Sequence, residues 1–234
     1  VLAATTDEYR EMLAVLHASG EIRYRALADG AERARFPFPG LDGEAIVAVA
    51  QPGEQYVVAA TARRLIAARL GVQTEHGRDG RVLHPRVAAV GEWLLPDGVS
   101  PPRLLGASLP DPASFAAAVV DAEGDPWLLS WREETSFLGD SERRATVKAL
   151  PAPSATITAV HMDARANQAF FATSRGRLER WDLRDPAEPQ QTDDVVAAVR
   201  EDTPITALAP LIGNQSLVVG DAVGGIGVWF TVRD

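Results

Sequence analysis

Two stretches of the sequence align with each other without a gap, and they decide the expected fold. Residues 157–181 read ITAVHMDARANQAFFATSRGRLERW, and residues 205–229 read ITALAPLIGNQSLVVGDAVGGIGVW. Each copy opens on Ile-Thr-Ala and carries a tryptophan 24 residues after its first isoleucine. The two copies start 48 residues apart. That spacing is close to the period of about 40–50 residues found in β-propeller blades.

The residue pattern inside each copy predicts three consecutive β-strands. The segment that begins at Ile157 alternates apolar and polar residues, which is typical of a half-buried strand. After a polar turn, the apolar runs 169–173 and 217–220 indicate a strand that is buried on both faces. A glycine turn then leads into the strand that carries the tryptophan, and in the first copy this strand contains a WD dipeptide. We therefore predict an all-β fold, a WD-repeat-like β-propeller, with these structural repeat positions: Ile157, Gly176, Trp181, Asp182, Ile205, Gly224 and Trp229.

Weaker copies of the same pattern occur along the rest of the chain. Residues 12–27 match a strand, a Ser-Gly turn and a second strand. Residues 8–16 could instead form an amphipathic helix, but the turn and the alternation of residues 22–26 favour the strand. Residues 71–112 and 185–202 are rich in turn-forming residues and interrupt the repeat, each around one short outer strand. We expect a single β-propeller-like domain, 1–234, whose units could close into a ring or form an incomplete, open arc. About five blade-like units are expected from the repeat period, near 8–38, 45–95, 113–150, 155–200 and 204–234.

Composition and charge exclude several classes of function. The chain has 234 residues, a formal net charge of -9 and no cysteine. The acidic balance argues against nucleic acid and anionic membranes as partners, because both need a basic face. The lack of cysteine excludes disulfides, thiolate metal sites and a cysteine nucleophile. The best apolar stretch, 205–220, is interrupted by Pro210 and polar residues, so no membrane-spanning helix is predicted.

The chain stops directly after the strand-like run 226–232, which favours a domain excised from a longer protein.

The residues that could carry chemistry do not form a recognisable site. The histidines are scattered, and His76 and His84 have no carboxylate at a spacing typical of zinc ligands. Adjacent residues of a strand point to opposite faces, which disfavours the acidic pairs 133–134 and 193–194 as catalytic dyads. No P-loop, dinucleotide-binding or nucleophile-elbow motif occurs. We therefore predict no enzyme activity and no catalytic, cofactor-binding or metal-binding residue. A propeller hydrolase, the alternative, would use carboxylates near blade turns, such as Asp121, Asp163 or Asp221.

Tryptophans and arginines on the predicted strands have a structural interpretation and a ligand-binding alternative. We favour packing between blades over a ligand-stacking platform for four tryptophans: Trp127, Trp131, Trp181 and Trp229. Nearby arginines could in principle bind phosphate, but the net acidity favours solvated positions or weak local ion pairs. These arginines are Arg180, Arg184 and Arg233.

The end of the chain resembles a known protein family. Residues 213–221 read GNQSLVVGD, Gly225 follows, and residues 229–234 read WFTVRD. These residues resemble the large periplasmic insertion of proteobacterial phosphate ABC transporter permease subunits, in which a WD-like propeller follows the first transmembrane helix. The close resemblance covers residues 205–234, and only the blade pattern extends over the rest. The family's transmembrane helices and its ATPase-docking segment have no counterpart in this sequence.

The resemblance implies a non-catalytic extracytoplasmic accessory domain that offers a docking or regulatory surface for phosphate import. The implied partners are the remainder of the permease, its transporter subunits and the periplasmic phosphate-binding protein, with no nucleic acid. The implied location is the periplasmic face of the bacterial inner membrane, which the domain would reach only through the parent chain. Two alternatives stay open, a free-standing WD-like protein-interaction scaffold in the cytoplasm and a propeller hydrolase. Direct phosphate binding is a further alternative.

Overall fold

Strands make up all the regular structure of the computed structural model, which describes residues 1–7, 9–78, 80–111, 113–135, 141–200, 202–211 and 216–230. The strands form five antiparallel sheets, and within each sheet the spatial order is the sequence order. The predicted all-β fold is therefore confirmed. No helix in the described part of the chain is long and apolar enough to cross a membrane. The chain divides into two compact units, Val1–Asp97 and Gly98–Asp234.

The first unit contains two four-stranded sheets that share one apolar core. The first sheet consists of β1 (Ala3–Thr6), β2 (Met12–Leu16), β3 (Glu21–Ala26) and β4 (Glu32–Pro37). The second sheet consists of β5 (Ala48–Ala50), β6 (Tyr56–Ala60), β7 (Arg64–Gly77) and β8 (Gly80–Leu94). Residues 12–16 are thus a strand, as the downstream turn predicts, and the helical alternative is wrong.

Strands β7 and β8 form a hairpin that is much longer than the other strands of its sheet. The hairpin packs on the first sheet, where the Tyr24 hydroxyl donates a hydrogen bond to the carbonyl of Arg86 at 2.8 Å. Burial raises the pKa of Tyr24 to about 12. Val72 and Val87 of the hairpin pack against the core of this unit. Residues 71–94, which the sequence pattern assigns mainly to an interruption, are therefore mostly strand, because tertiary packing stabilises them.

The second unit contains three sheets. The third sheet of the chain consists of β9 (Pro102–Asp111), β10 (Ser114–Asp121), β11 (Pro126–Thr135) and β12 (Ser141–Ala149). The fourth consists of β13 (Ile157–Met162), β14 (Gln168–Thr173), β15 (Arg177–Asp182) and β16 (Gln190–Val196). The described strands of the fifth are β17 (Ile205–Pro210), β18 (Ser216–Asp221) and β19 (Ile226–Phe230).

Strand β9 occupies residues that the sequence pattern assigns to a loop-rich interruption. Its prolines and Gly106 lower the strand propensity of the segment, because both residue types are disfavoured inside strands. The sequence pattern therefore does not indicate a strand here. A Cβ atom at Gly106 would lie 3.0 Å from Val160 and 3.1 Å from the backbone of His161. The glycine therefore permits close packing of β9 on β13. Pairing with β10 and this contact, rather than local propensity, determine the strand.

The Ile-Thr-Ala motif adopts the same local structure in both copies. A β-bulge follows the isoleucine each time, at Thr158 and at Thr206. Each of these threonines donates its hydroxyl to a carbonyl of the next strand, at 3.2 Å and 3.4 Å respectively. Ile157 and Ile205 are 2% and 0% exposed. The repeat in sequence is therefore also a repeat in backbone geometry and in burial.

An aspartate caps the first turn of two sheets in the same way. One carboxylate oxygen of Asp7 and one of Asp163 each accept two backbone N–H groups from the start of the next strand, at 2.6–2.8 Å. The fourth residue of each turn, Arg10 or Ala166, has a positive φ, 55° and 56° respectively. The side chain thus satisfies backbone donors that the tight turn leaves without a carbonyl partner.

Candidate functional site

Four of the five sheets use the same turn between their second and third strands. Each turn ends on a glycine with a positive φ, which favours glycine because it has no Cβ atom. These glycines are Gly20 (79°), Gly124 (95°), Gly176 (73°) and Gly224 (84°). The second sheet differs, because Thr61 and Arg64 close a shorter turn there. The repeat positions Gly176 and Gly224 therefore lie at equivalent points of neighbouring sheets.

The carboxylates considered for hydrolysis act as hydrogen-bond acceptors within turns. Asp121 is 2% exposed and accepts the Asp125 N–H at 2.9 Å and the Trp127 indole N–H at 2.8 Å. Asp221 is 6% exposed and accepts the Gly225 N–H at 2.6 Å. These contacts give both carboxylates a structural role. Asp163 has the same kind of role, because it accepts the Asn167 and Gln168 N–H groups. The three aspartates lie in three separate turns.

The histidines do not converge on one another. His161 lies on β13 and stacks on Phe170 with ring centroids 6.2 Å apart. Burial lowers the pKa of His161 to about 4, so the ring is neutral at pH 7. His84 lies on the long hairpin, with its Nε2 atom 3.1 Å from a carboxylate oxygen of Glu75. Within the described residues, no group of three or more histidine or acidic side chains could hold a metal ion.

The tryptophans of the two repeat copies pack between neighbouring sheets. Trp181 is 7% exposed and belongs to a core cluster that also contains residues of the third sheet, such as Leu128. Trp229 meets Phe170 of the fourth sheet edge-on, with ring centroids 5.5 Å apart. The Arg180 guanidinium lies 5.5 Å from the centroid of the Trp229 ring. The burial of Trp181 and the contact between Trp229 and Phe170 agree with packing between sheets.

Local ion pairs engage the arginines considered for phosphate binding. Asp193 and its neighbour Asp194 pair with different arginines, at 2.5 Å from Arg180 and 2.6 Å from Arg177. Arg184 binds the carboxylate of Asp182, the aspartate of the WD dipeptide, through its Nε atom at 2.9 Å. Arg233 lies outside the described residues, as does the Glu134 side chain of the other acidic pair.

A pocket of about 390 Å³ opens between the third and fourth sheets. It lies at the end of these sheets where β9 turns into β10 and β13 turns into β14. The floor is apolar, and the rings of Phe115 and Trp131 lie in it with centroids 5.4 Å apart. The other apolar residues of the floor include Leu129, Met162 and Leu183.

Four arginines surround this floor, and we refer to the site as the arginine pocket (Arg132, Arg144, Arg165 and Arg184). All four are exposed. Arg132 and Arg144 are directly opposite each other on β11 and β12, whereas Arg165 extends from the turn that Asp163 caps. Neither Arg132 nor Arg165 forms an ion pair with any described residue.

Sequence reasoning singles out only Arg184 of these four arginines. The other three lie in sequence contexts that resemble any polar strand end or turn. The signal that could have found them is their position at matching ends of neighbouring strands. That position becomes visible only when the pairing of the strands is known.

Comparison with known proteins identifies the fold. No protein-family model matches the sequence, and no curated protein is significantly similar to it. The chain is similar to the β-propeller domain of Cps50 (Swd1) from Myceliophteria thermophila, with a TM-score of 0.60 and 16% identity over 99% of this chain. It spans 65% of that domain's chain. It is also similar to a chain of the mitotic checkpoint complex, with a TM-score of 0.51 and 7% identity, covering 98% of this chain and 74% of that one. The protein thus has the fold of a WD-repeat-like β-propeller.

Proposed function

We propose that this chain is a non-catalytic protein-interaction scaffold. The observation that carries the proposal is the structural use of the aspartates in its turns. Asp121, Asp163 and Asp221 accept N–H groups within their own turns, and this use favours a framework over a reaction centre. The exposed arginine pocket offers a surface for a partner. A similar fold occurs in a chain of the mitotic checkpoint complex, which is a protein assembly.

The scaffold role predicts binding without turnover. A photo-cross-linking amino acid at exposed positions such as Val196 and Val228 should give discrete protein adducts when the full-length gene product is expressed in its own cells. A panel of glycoside and phosphate-ester substrates should show no turnover. Hydrolysis that disappears in Asp121→Asn or Asp221→Asn would overturn the non-catalytic assignment. The lack of any protein adduct from all tested positions would count against a scaffold.

A more specific candidate is an accessory domain of a phosphate ABC transporter permease. It is favoured by the sequence of residues 213–234, whose described part forms β18 and β19. In this role the domain would lie on the periplasmic face of the inner membrane. It would offer a docking or regulatory surface to the periplasmic phosphate-binding protein and would belong to the permease chain.

Interferometry with the phosphate-binding protein, phosphate-loaded and empty, tests this candidate. Docking at a functional level predicts saturable binding with a Kd below ~100 µM, and no response at that concentration removes the docking role. Protease accessibility in spheroplasts tests the location, since a periplasmic domain of the full-length protein is cleaved without lysis. Hydrophobic helices on both sides of this segment in the full reading frame would support the permease over a cytoplasmic scaffold.

A further inference from the structure

We propose that the arginine pocket binds an acidic peptide segment of a partner protein. In this arrangement, one apolar side chain of the peptide enters the pocket, and flanking carboxylates meet Arg132 and Arg165. The inference rests on the scaffold function and specifies the chemistry of the partner. It uses three independent observations, the local charge, the placement of the arginines on the backbone and the apolar floor.

The local charge has the opposite sign to that of the whole chain. The formal net charge is -9, yet the pocket lining contains four arginines and, among the described residues, one acidic side chain, Asp111. Arg184 is already paired with Asp182, whereas Arg132 and Arg165 have no carboxylate partner among the described residues. Two exposed cations without a described carboxylate partner, Arg132 and Arg165, favour an anionic ligand at this place on an otherwise acidic protein.

The fold holds the backbone positions from which these arginine side chains extend. Arg132 and Arg144 are paired residues of two adjacent strands, so their side chains leave the same face of the sheet. The capped turn that carries Arg165 holds its backbone in place from the other side of the pocket. A guanidinium group presents paired N–H donors that match the two oxygens of a carboxylate. Two or more carboxylates along one extended peptide can therefore be recognised together.

The floor selects a peptide over a small inorganic anion. A volume of about 390 Å³ lies in the range typical of pockets that enclose organic ligands. Phe115 and Trp131 are 2% and 7% exposed, and the edges that remain accessible form part of an apolar lining that a free oxyanion would not cover. A leucine-sized or aromatic side chain would cover this surface, and such buried anchors contribute most of the affinity at protein interfaces. Acidic residues around one apolar anchor therefore fit both parts of the pocket.

Fluorescence anisotropy with labelled synthetic peptides tests the proposal on the intact chain. The probe is a short peptide of aspartates and glutamates around one central leucine. One matched peptide replaces the leucine with serine, and a second replaces every acid with its amide. We expect saturable binding of the probe, weaker binding of both matched peptides, and loss of affinity as the salt concentration rises.

Matched arginine variants assign the binding to the pocket. The double variant Arg132→Gln/Arg165→Gln should weaken binding at least about tenfold, because two charge-assisted contacts are lost. The control Arg175→Gln/Arg200→Gln removes the same charge from exposed positions of the same unit and should change the affinity less than about twofold. Far-UV circular dichroism of both variants verifies that they fold.

Three outcomes would overturn the proposal. These are no binding of the probe at millimolar concentration, equal binding of the serine peptide, and equal loss of affinity in the two double variants. Full competition by inorganic phosphate at low millimolar concentration would instead identify a simple oxyanion site, and this too would contradict a peptide pocket. Failure here leaves the scaffold role testable, because the cross-linking positions lie outside the pocket.

Discussion

At the scale of single residues, the polar groups inside the fold organise the backbone. Asp7 and Asp163 satisfy backbone donors at equivalent turns, and Asp121 does so at another turn while also holding an indole. His161 is the contrasting case, because its half-buried ring stacks on Phe170. Desolvation of the His161 imidazole favours its neutral form and lowers its pKa.

The stability of the protein should depend on pH through His161. Burial lowers its pKa from 6.5 to about 4, so the unfolded state binds the proton more tightly. The stability that the folded protein gains from keeping this ring neutral is fully present above pH 6.5 and decreases as the pH falls toward 4. A lowering of the pKa by this amount corresponds to about 2–4 kcal/mol in the free energy of unfolding. In urea unfolding series, His161→Gln should therefore lose less stability between pH 6.5 and 4 than the wild type does.

The exposed His76 provides the control for that measurement. His76→Gln should keep the wild-type pH dependence, since replacing an exposed histidine removes no buried imidazole. Titration of the His161 ring by NMR gives a direct readout. A measured pKa near 6.5, or identical pH slopes in the His161 variant and the wild type, would show that its burial has no energetic consequence.

Removal of the Asp163 cap should destabilise the fourth sheet. Asp163→Ala leaves the Asn167 and Gln168 N–H groups without their side-chain acceptor, which should cost about 1–3 kcal/mol in the free energy of unfolding. Asp163→Asn keeps one acceptor oxygen and should cost less. Asp185→Ala serves as the control, because Asp185 is exposed and its carboxylate accepts only the Ala187 N–H within the described part of the chain. Equal urea midpoints for the two alanine variants would contradict a structural cap.

At the scale of elements, the turn between the second and third strands is the most regular part of the repeat. Its terminal glycine has a positive φ in four sheets, while the second sheet replaces the turn with a shorter one. The surroundings of these glycines differ, however. A Cβ atom at Gly176 would lie 2.8 Å from the Thr203 carbonyl oxygen and 2.8 Å from Ala198. A Cβ atom at Gly124 would have no such neighbour within 4 Å.

These two glycines provide a matched pair of substitutions. Gly124→Ala should cost about 1–2 kcal/mol, because only the left-handed backbone conformation is penalised. Gly176→Ala should cost more, about 2–4 kcal/mol, because backbone atoms near Thr203 must also move. Thermal unfolding of the two variants measures the difference. Equal destabilisation would mean that the loop around Thr203 yields without cost.

At the scale of the whole molecule, the same sheet is repeated with different sequences. Ile157 and Ile205 open the first strands of neighbouring sheets, and both are almost completely buried. Stacked repeats bury a continuous core only when each repeat supplies its apolar residues at the same position. The equivalence of these isoleucines in the sequence therefore corresponds to an equivalence in packing.

Truncation of either isoleucine should have a similar effect. Ile157→Ala and Ile205→Ala should each cost about 2–5 kcal/mol, since each removes buried methyl groups and leaves a cavity. Ile226→Ala provides the control, because Ile226 is 75% exposed and should change the stability by less than about 0.5 kcal/mol. Urea unfolding measures all three. A cost for Ile205→Ala as small as that of the control would show that the second copy does not pack as the first does.

The sequence alone determined the described strands of the two repeat copies and the glycine turn before the third strand of each. Alternation of apolar residues, a buried apolar run and a glycine before the third strand are local properties, and they act within a few residues. The strand at residues 157–162 and the turn at Gly176 follow from them directly. The fold class could be predicted for the same reason, because the copies repeat at a characteristic spacing.

Only the tertiary structure decided the remaining strands and the candidate site. Strand β9 and the extended hairpin of β7 and β8 are stabilised by partners that their own sequences do not indicate. The arginine pocket combines residues of β11, β12 and two separate turns. These arginines are distant along the chain, and they converge because the third and fourth sheets pack side by side. Proximity of this kind follows from packing, which no local pattern in the sequence records.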